Sequence, residues 1–328
     1  SAVTPSFWLL YVARFMVGFG AASIYLSITK ETSRIYPNSF AMMLGFVMVG
    51  GYLGGVMGNA PFIAGVQMMG WQQALLLVGG IATLIYLAYA GLKCTLPMPE
   101  VVQTAKFDYH RFFEVLKVRQ NIHILVCGGF PFGLYFAIQS IFGKKFLEDY
   151  SGMNPESAGW VLTALMVIGA VNSLLASALS KMLKNRRRPL MLFSGVGTAA
   201  AFLLIVGCLL SGVHSPWLIS GAFILLAFAG NISPVIVALV RESNHNDIWG
   251  VMLSVYAFLA YIVTAVIGHS TGWIMELFPP QVVDGVHIYG NDSYLAAFAV
   301  LLVIALFAAY SGFRLKESNG KDISNEIK

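Results

Sequence analysis

Residues 14–22 read RFMVGFGAA, and how this stretch is read decides the fold. Arg14 is the one charged residue between Phe7 and Thr29, in a segment (FWLLYVARFMVGFGAASIYLSIT) long and apolar enough to cross a bilayer. A charge at mid-membrane depth costs about 2.5–3.5 kcal/mol on insertion scales, so one kept there faces a cavity or a partner. The segment is read as a membrane helix with a polar task, and the rest of the chain has to supply the context.

Composition points to the same environment. Hydrophobic residues make up 58% of the 328-residue chain and charged residues only 11%. Soluble domains carry about 25% charge, so this is a polytopic membrane protein. The net charge of +5 is spread over short loops, not gathered in a patch with interleaved aromatics, which argues against nucleic acid as a partner. Cys94, Cys127 and Cys208 have no metal-type spacing and read as free thiols.

Nine apolar blocks follow one another, at 7–29, 40–69, 71–92, 121–146, 157–180, 189–212, 216–240, 248–277 and 294–315. Gly70 and Trp71 are expected to close a tight turn between the second and third. Lysine and arginine crowd the loops after the odd-numbered blocks, from Lys30 and Arg34 to the run KMLKNRRRP at 181–189. The alternate loops hold only Lys144 and Lys145. This asymmetry places the basic loops and the C-terminus in the cytoplasm. Residue 1 then falls outside with no signal peptide to export it, so an odd number of upstream helices is expected.

The insertion 93–120 alternates charge, with Phe112, Val115, Leu116 and Val118 at partly helical spacing, as suits an amphipathic segment on the membrane face. It divides the chain into a three-helix part (1–92), a linker (93–120), a six-helix part (121–316) and a polar tail (317–328). With Arg14, Gly18, Gly20 and Ala22 spaced R-x-x-x-G-x-G-x-A, the chain resembles the major facilitator superfamily over residues 7–316. The likeness is to helices four to twelve of a twelve-helix fold. It implies an all-α integral membrane protein in which nine of twelve transmembrane helices are present. SALSKMLKNRRRP resembles the second copy of the family's loop motif, whose basic part falls on Arg186, Arg187 and Arg188; its acidic and glycine positions are absent. In the fifth helix Gly50, Gly54 and Gly58 repeat every four residues, a spacing that lets helices approach closely. The antiporter motif's Gly-Pro is replaced there by Gly58-Asn59-Ala60-Pro61.

The resemblance implies that the fourth, seventh and tenth helices line a central cavity. Arg14 would face it, binding a substrate anion or organising a proton-linked network, unless it pairs with a carbonyl or carboxylate. Tyr25 lies eleven residues on, near the same face, as a cavity or packing tyrosine. Tyr135 and Gln139, four apart, are expected to project together from the seventh helix. Pro131, among Gly128, Gly129 and Gly133, marks a kink that can serve gating. Asn231 opens the polar patch NISP on the tenth helix. Asn172 and His269 read as packing residues, with proton transfer a lesser role for His269, and Lys144 and Lys145 as snorkelling to the interface.

No nucleotide-binding loop or H-E-x-x-H occurs, and His287 with Asp292 is a chance H-x-x-x-x-D. The expectation is a monomeric secondary transporter without cofactor, in a bacterial inner membrane, driven by a proton or cation gradient. Arg14 and the missing Gly-Pro favour uptake of a small polar or anionic solute by symport. Proton-coupled efflux of an amphipathic compound is the alternative, favoured by Tyr25, Phe132 and Tyr135. A non-transporting sensor and a membrane enzyme come after both.

Overall fold

The computed structural model describes residues 7–58, 60–95, 109–245, 248–279, 281–283 and 286–326. Residues 1–6, Asn59 and the middle of the linker (96–108, with Lys106) lie outside the described residues, as do the side chains of Ala22, Cys94 and His287. Among the described residues fourteen α-helices occur in the order α1 (Phe7–Ile35), α2 (Phe40–Met57), α3 (Ala60–Met69), α4 (Trp71–Thr95), α5 (Tyr109–Lys117), α6 (Arg119–Ile124), α7 (Phe130–Ala137), α8 (Gly143–Asp149), α9 (Pro155–Met182), α10 (Arg188–Ser211), α11 (Pro216–Gly230), α12 (Ser233–Ser243), α13 (Trp249–Glu276) and α14 (Asn291–Arg314). Among the described residues nine helical rods are long and apolar enough to cross a membrane. All nine fall on the nine apolar blocks.

Local chemistry sets many of the ends. Pro155 and Pro216 open their helices, where a missing N–H costs nothing. Asn154 caps α9 by accepting from the Ser157 amide at 2.7 Å. Gly70, at φ 84°, makes the turn between α3 and α4 as expected, and only glycine enters that left-handed region freely.

Three blocks are not the continuous helices the periodicity predicts. The second ends as α2 at Met57 and resumes as α3. The seventh is broken at Asn231 and Ile232 between α11 and α12. The fourth runs unbroken from Arg119 to Asp149 but contains two π-helical turns, Leu125–Gly129 and Ile138–Phe142. The first lies just before Pro131, where a regular α-turn would drive the proline ring against the Cys127 carbonyl. A short hairpin, unforeseen in the sequence, pairs β1 (Gln281–Val283) with β2 (Val286–Ile288), Val282 opposite His287. The sequence carries Asp-Gly at 284–285 between β-branched residues, a pair that favours hairpins, though these two positions lie outside the described residues.

The basic loops gather at one end of the bundle, here called the basic end. Two apolar cores stack by depth. One, with Tyr135, Phe146, Phe202, Phe223 and Phe298, fills the far half of the second helix group. The other, towards the basic end, unites Phe40 and Leu44 with Val115, Ile236, Leu239 and Tyr256, joining the two groups. Val115 enters that core from α5, so the linker helix is anchored by one buried residue while Phe113 stays exposed.

The polar tail also docks. Glu317 accepts from the amides of Arg187 (2.7 Å) and Arg188 (3.1 Å), capping α10, and the Ile323 amide bonds the Glu242 carbonyl at 2.8 Å. Hydrogen bonds from the side chain and amide of Ser324 hold the Asp322 carboxyl below its ordinary range.

Candidate functional site

A cavity of about 330 Å3 lies between α1 and α2 on one side and α7, α9, α12 and α13 on the other. At 1.5 Å per residue its lining lies roughly 10–25 Å from the basic ends of these helices, near the middle of a hydrocarbon core about 30 Å thick. Its wall is aromatic. Phe132 packs on Phe136 at 4.5 Å between ring centroids and meets Tyr261 edge to face at 6.1 Å. Tyr25, Tyr52 and Tyr256 bring hydroxyls, and Met48 and Met166 bring sulfurs. Among the described residues lining it, none is charged.

The three hydroxyls differ in their bonding. Tyr52 donates to Asn231 Oδ1 across the group boundary. The hydroxyls of Tyr25 and Tyr256 are buried and complete no hydrogen bond. Thr29 stands close enough to the Tyr25 hydroxyl, and Ser233 to the Tyr256 hydroxyl, to interact with it, though neither pair reaches hydrogen-bond geometry; Thr29 gives its own proton to the Tyr25 carbonyl at 2.7 Å.

The helix break at Asn231 builds one wall. Asn172 Nδ2 donates to the carbonyls of Phe228 (2.7 Å) and Asn231 (3.0 Å), which the interrupted helix leaves without partners of its own. Asn231 Nδ2 turns back to the Ala227 carbonyl at 2.7 Å. At Gly230 a Cβ would stand 2.8 Å from Tyr135 Cβ and 3.0 Å from the Pro131 carbonyl, so glycine is needed for the break to pack on α7. Asn172, read from the sequence as packing, is the residue that holds the break.

The expected site residues separate into groups. Tyr25 lines the cavity, and Asn231 reaches it through Tyr52. Tyr135 is buried, donates to the Leu165 carbonyl at 3.0 Å and is not in the lining. Gln139 lies in the second π turn, where its Oε1 accepts from Ser140. The extra residue of the π turn breaks the i, i+4 register, so Tyr135 and Gln139 share no partner. Arg14 is exposed, does not line the cavity, and has no acceptor among the described residues. It lies about 16 Å from Tyr25 along α1, towards the far end and within about 20° of the same face. Lys145 is paired with the buried Asp149 at 2.7 Å, so it does not simply snorkel. His269 is exposed on α13, away from the lining.

The expected glycine positions pack against no other helix among the described residues. At Gly18, Gly20, Gly50 and Gly54 an added Cβ would meet nothing within 4 Å, and at Gly58 only carbonyls of its own helix at 3.5 Å. The close approach of α2 to α9 uses Gly45 and Gly55 instead, where a Cβ would stand 3.2 Å from the Ser173 carbonyl and 2.9 Å from Met166 Cε. Of the three arginines, Arg187 is buried. It grips Glu242 (Nη2 to Oε1 2.7 Å) and donates to Ser180. Arg188 Nη2 donates to the Phe313 carbonyl at 3.0 Å, and Arg186 is exposed.

A larger cavity of about 770 Å3 opens at the basic end beside Lys181, Arg241 and Asp322. Its position at the mouth of the bundle makes it a vestibule, not a midplane site. Tyr52, Tyr256 and Tyr261 were missed in the sequence. Tyr52 alone carried a signal, a hydroxyl set among glycines in GGYLGG.

A family profile, the Major Facilitator Superfamily, matches residues 124–327. An uncharacterized MFS-type transporter of Bacillus subtilis (strain 168), YcxA, is 27% identical over 225 residues, or 66% of this chain. The match covers 52% of that relative, so the chain spans about half its length.

Proposed function

The chain belongs to the Major Facilitator Superfamily, and we propose that it serves in a secondary active transporter whose substrate site is the tyrosine-lined cavity. The observation that carries this reading is the pair of buried, unbonded hydroxyls of Tyr25 and Tyr256. Leaving such a group unsatisfied costs about 1–3 kcal/mol, so a ligand or water completes it. The two tyrosines come from opposite helix groups, which is where a site served by alternating access has to lie.

Contacts between the groups run along the basic half: Ser177 to the Ala41 carbonyl (3.0 Å), Ser173 to the Gly45 carbonyl (3.3 Å) and Arg241 to the Pro37 carbonyl (3.3 Å). In this reading the basic end, where these contacts lie beside the vestibule, is the cytoplasmic one together with the C-terminus. The proposed setting is a bacterial inner membrane, in keeping with the bacterial relative, with a proton or cation gradient as the driving force. The arginine-rich turn at 186–188 ties α10 to α12 within the six-helix group through Arg187 and Glu242.

The lining favours an amphipathic compound. Uptake of a small polar or anionic solute by symport is the second reading, and its support is Arg14, exposed on the Tyr25 face. A thermal-shift screen of anionic, cationic and neutral solutes tests both, since a bound ligand raises Tm by mass action. Stabilisation that disappears in Gly51→Trp is expected, because that side chain enters the open cavity. An anion whose stabilisation needs Arg14 and survives Gly51→Trp would overturn the cavity reading.

A further inference from the structure

We propose that the cavity takes an uncharged, flat aromatic compound with at least two hydrogen-bonding atoms. This rests on the reading of the cavity as the substrate site and names the class of substrate.

Charge is the first discriminator. None of the described lining residues is charged, so these walls offer an ionised ligand no counter-ion in exchange for its water. Arg14 weighs further against a cation. It lies on the Tyr25 face, about 16 Å away, and its field reaches through a medium of low dielectric constant. The wall also matches a ring system. Phe132, Phe136 and Tyr261 already sit in tilted and edge-to-face contact, offering both ring faces and ring edges to a flat guest. Met48 and Met166 bring flexible, polarizable side chains that adapt to an aromatic outline. The volume of about 330 Å3 is near the lower end of ligand pockets, which limits the guest to one compact ring system.

Hydrogen bonding is the second discriminator. Tyr25 and Tyr256 hold two buried hydroxyls that complete no bond, one from each helix group. A guest with two polar atoms satisfies both and ties the groups together. A purely apolar guest would leave both orphaned.

The test uses the full chain in lipid nanodiscs and three indoles that share one ring system: indole-3-carboxamide, indole-3-carboxylate and (indol-3-ylmethyl)trimethylammonium. A fourth probe, 1-methylnaphthalene, has no hydrogen-bonding atom. The carboxamide is expected to bind at least about tenfold tighter than either ion. Tyr25→Phe and Tyr256→Phe each keep the ring and should weaken the carboxamide by about tenfold, the loss of one buried hydrogen bond. Binding of 1-methylnaphthalene should be unchanged in both, which shows the cavity intact. Tightest binding of the ammonium, or of the carboxylate with dependence on Arg14, overturns the proposal. So does carboxamide binding that ignores both tyrosine changes. If another solute stabilises the wild type but neither Gly51→Trp nor Ala257→Trp, while no indole binds, the aromatic class falls and the cavity stands. Carboxamide binding that survives both tryptophans overturns the cavity reading itself.

Discussion

Three consecutive arginines in one loop meet three different fates. Arg187 is buried with its guanidinium forked over Glu242, and the Ser180 and Ser318 hydroxyls complete the cluster. Removing one partner of a buried pair strands the other charge, at a cost of about 3–5 kcal/mol. Arg187→Ala should therefore lower the unfolding free energy by roughly that amount, read from thermal or denaturant melts. Arg186→Ala, at an exposed position, should stay within about 0.5 kcal/mol. Equal effects of the two would show that the Glu242 pairing contributes little. The basic run was legible as a topology signal. Which arginine turns inward was not, because Glu242 and Glu317 lie 55 and 130 residues away.

At the scale of elements, close helix contact depends on which glycines meet a backbone. At Gly195 in α10, a Cβ would stand 2.8 Å from the Ala308 carbonyl and 2.8 Å from Ala309 Cα in α14. Backbone cannot rotate away as a flexible side chain can, so Gly195→Ala must push α10 and α14 apart. The expected cost is about 1–3 kcal/mol. Gly207→Ala on the same helix meets nothing within 4 Å and should be neutral or slightly stabilising. Comparing the two melting temperatures checks this. The four-residue glycine repeat at 50, 54 and 58 was legible in the sequence, and among the described residues no other helix packs on it. Spacing reports that a helix has a small-residue stripe but not which neighbour faces it. The break at Asn231 was half legible: NISP announced polarity and a proline, while the carbonyls it frees depend on Asn172 from another helix.

For the whole molecule, the prediction concerns how the two groups move. Ser177 bonds the Ala41 carbonyl at 3.0 Å across the groups at the basic end. A short bifunctional thiol reagent across Ala41→Cys and Ser177→Cys should hold that end shut and stop flux of any transported solute, with either single mutant unaffected. Flux that continues through the linked protein would rule out rocking at this seam. By itself, the sequence determined the membrane environment, the nine apolar blocks and the family likeness, because these follow from local quantities: run length, hydropathy and motif spacing. The tertiary structure alone decided which residues share the midplane cavity. Tyr25, Tyr52 and Tyr256 are far apart in the chain, and a hydroxyl becomes an unsatisfied one only when helices from both groups close over it and exclude water.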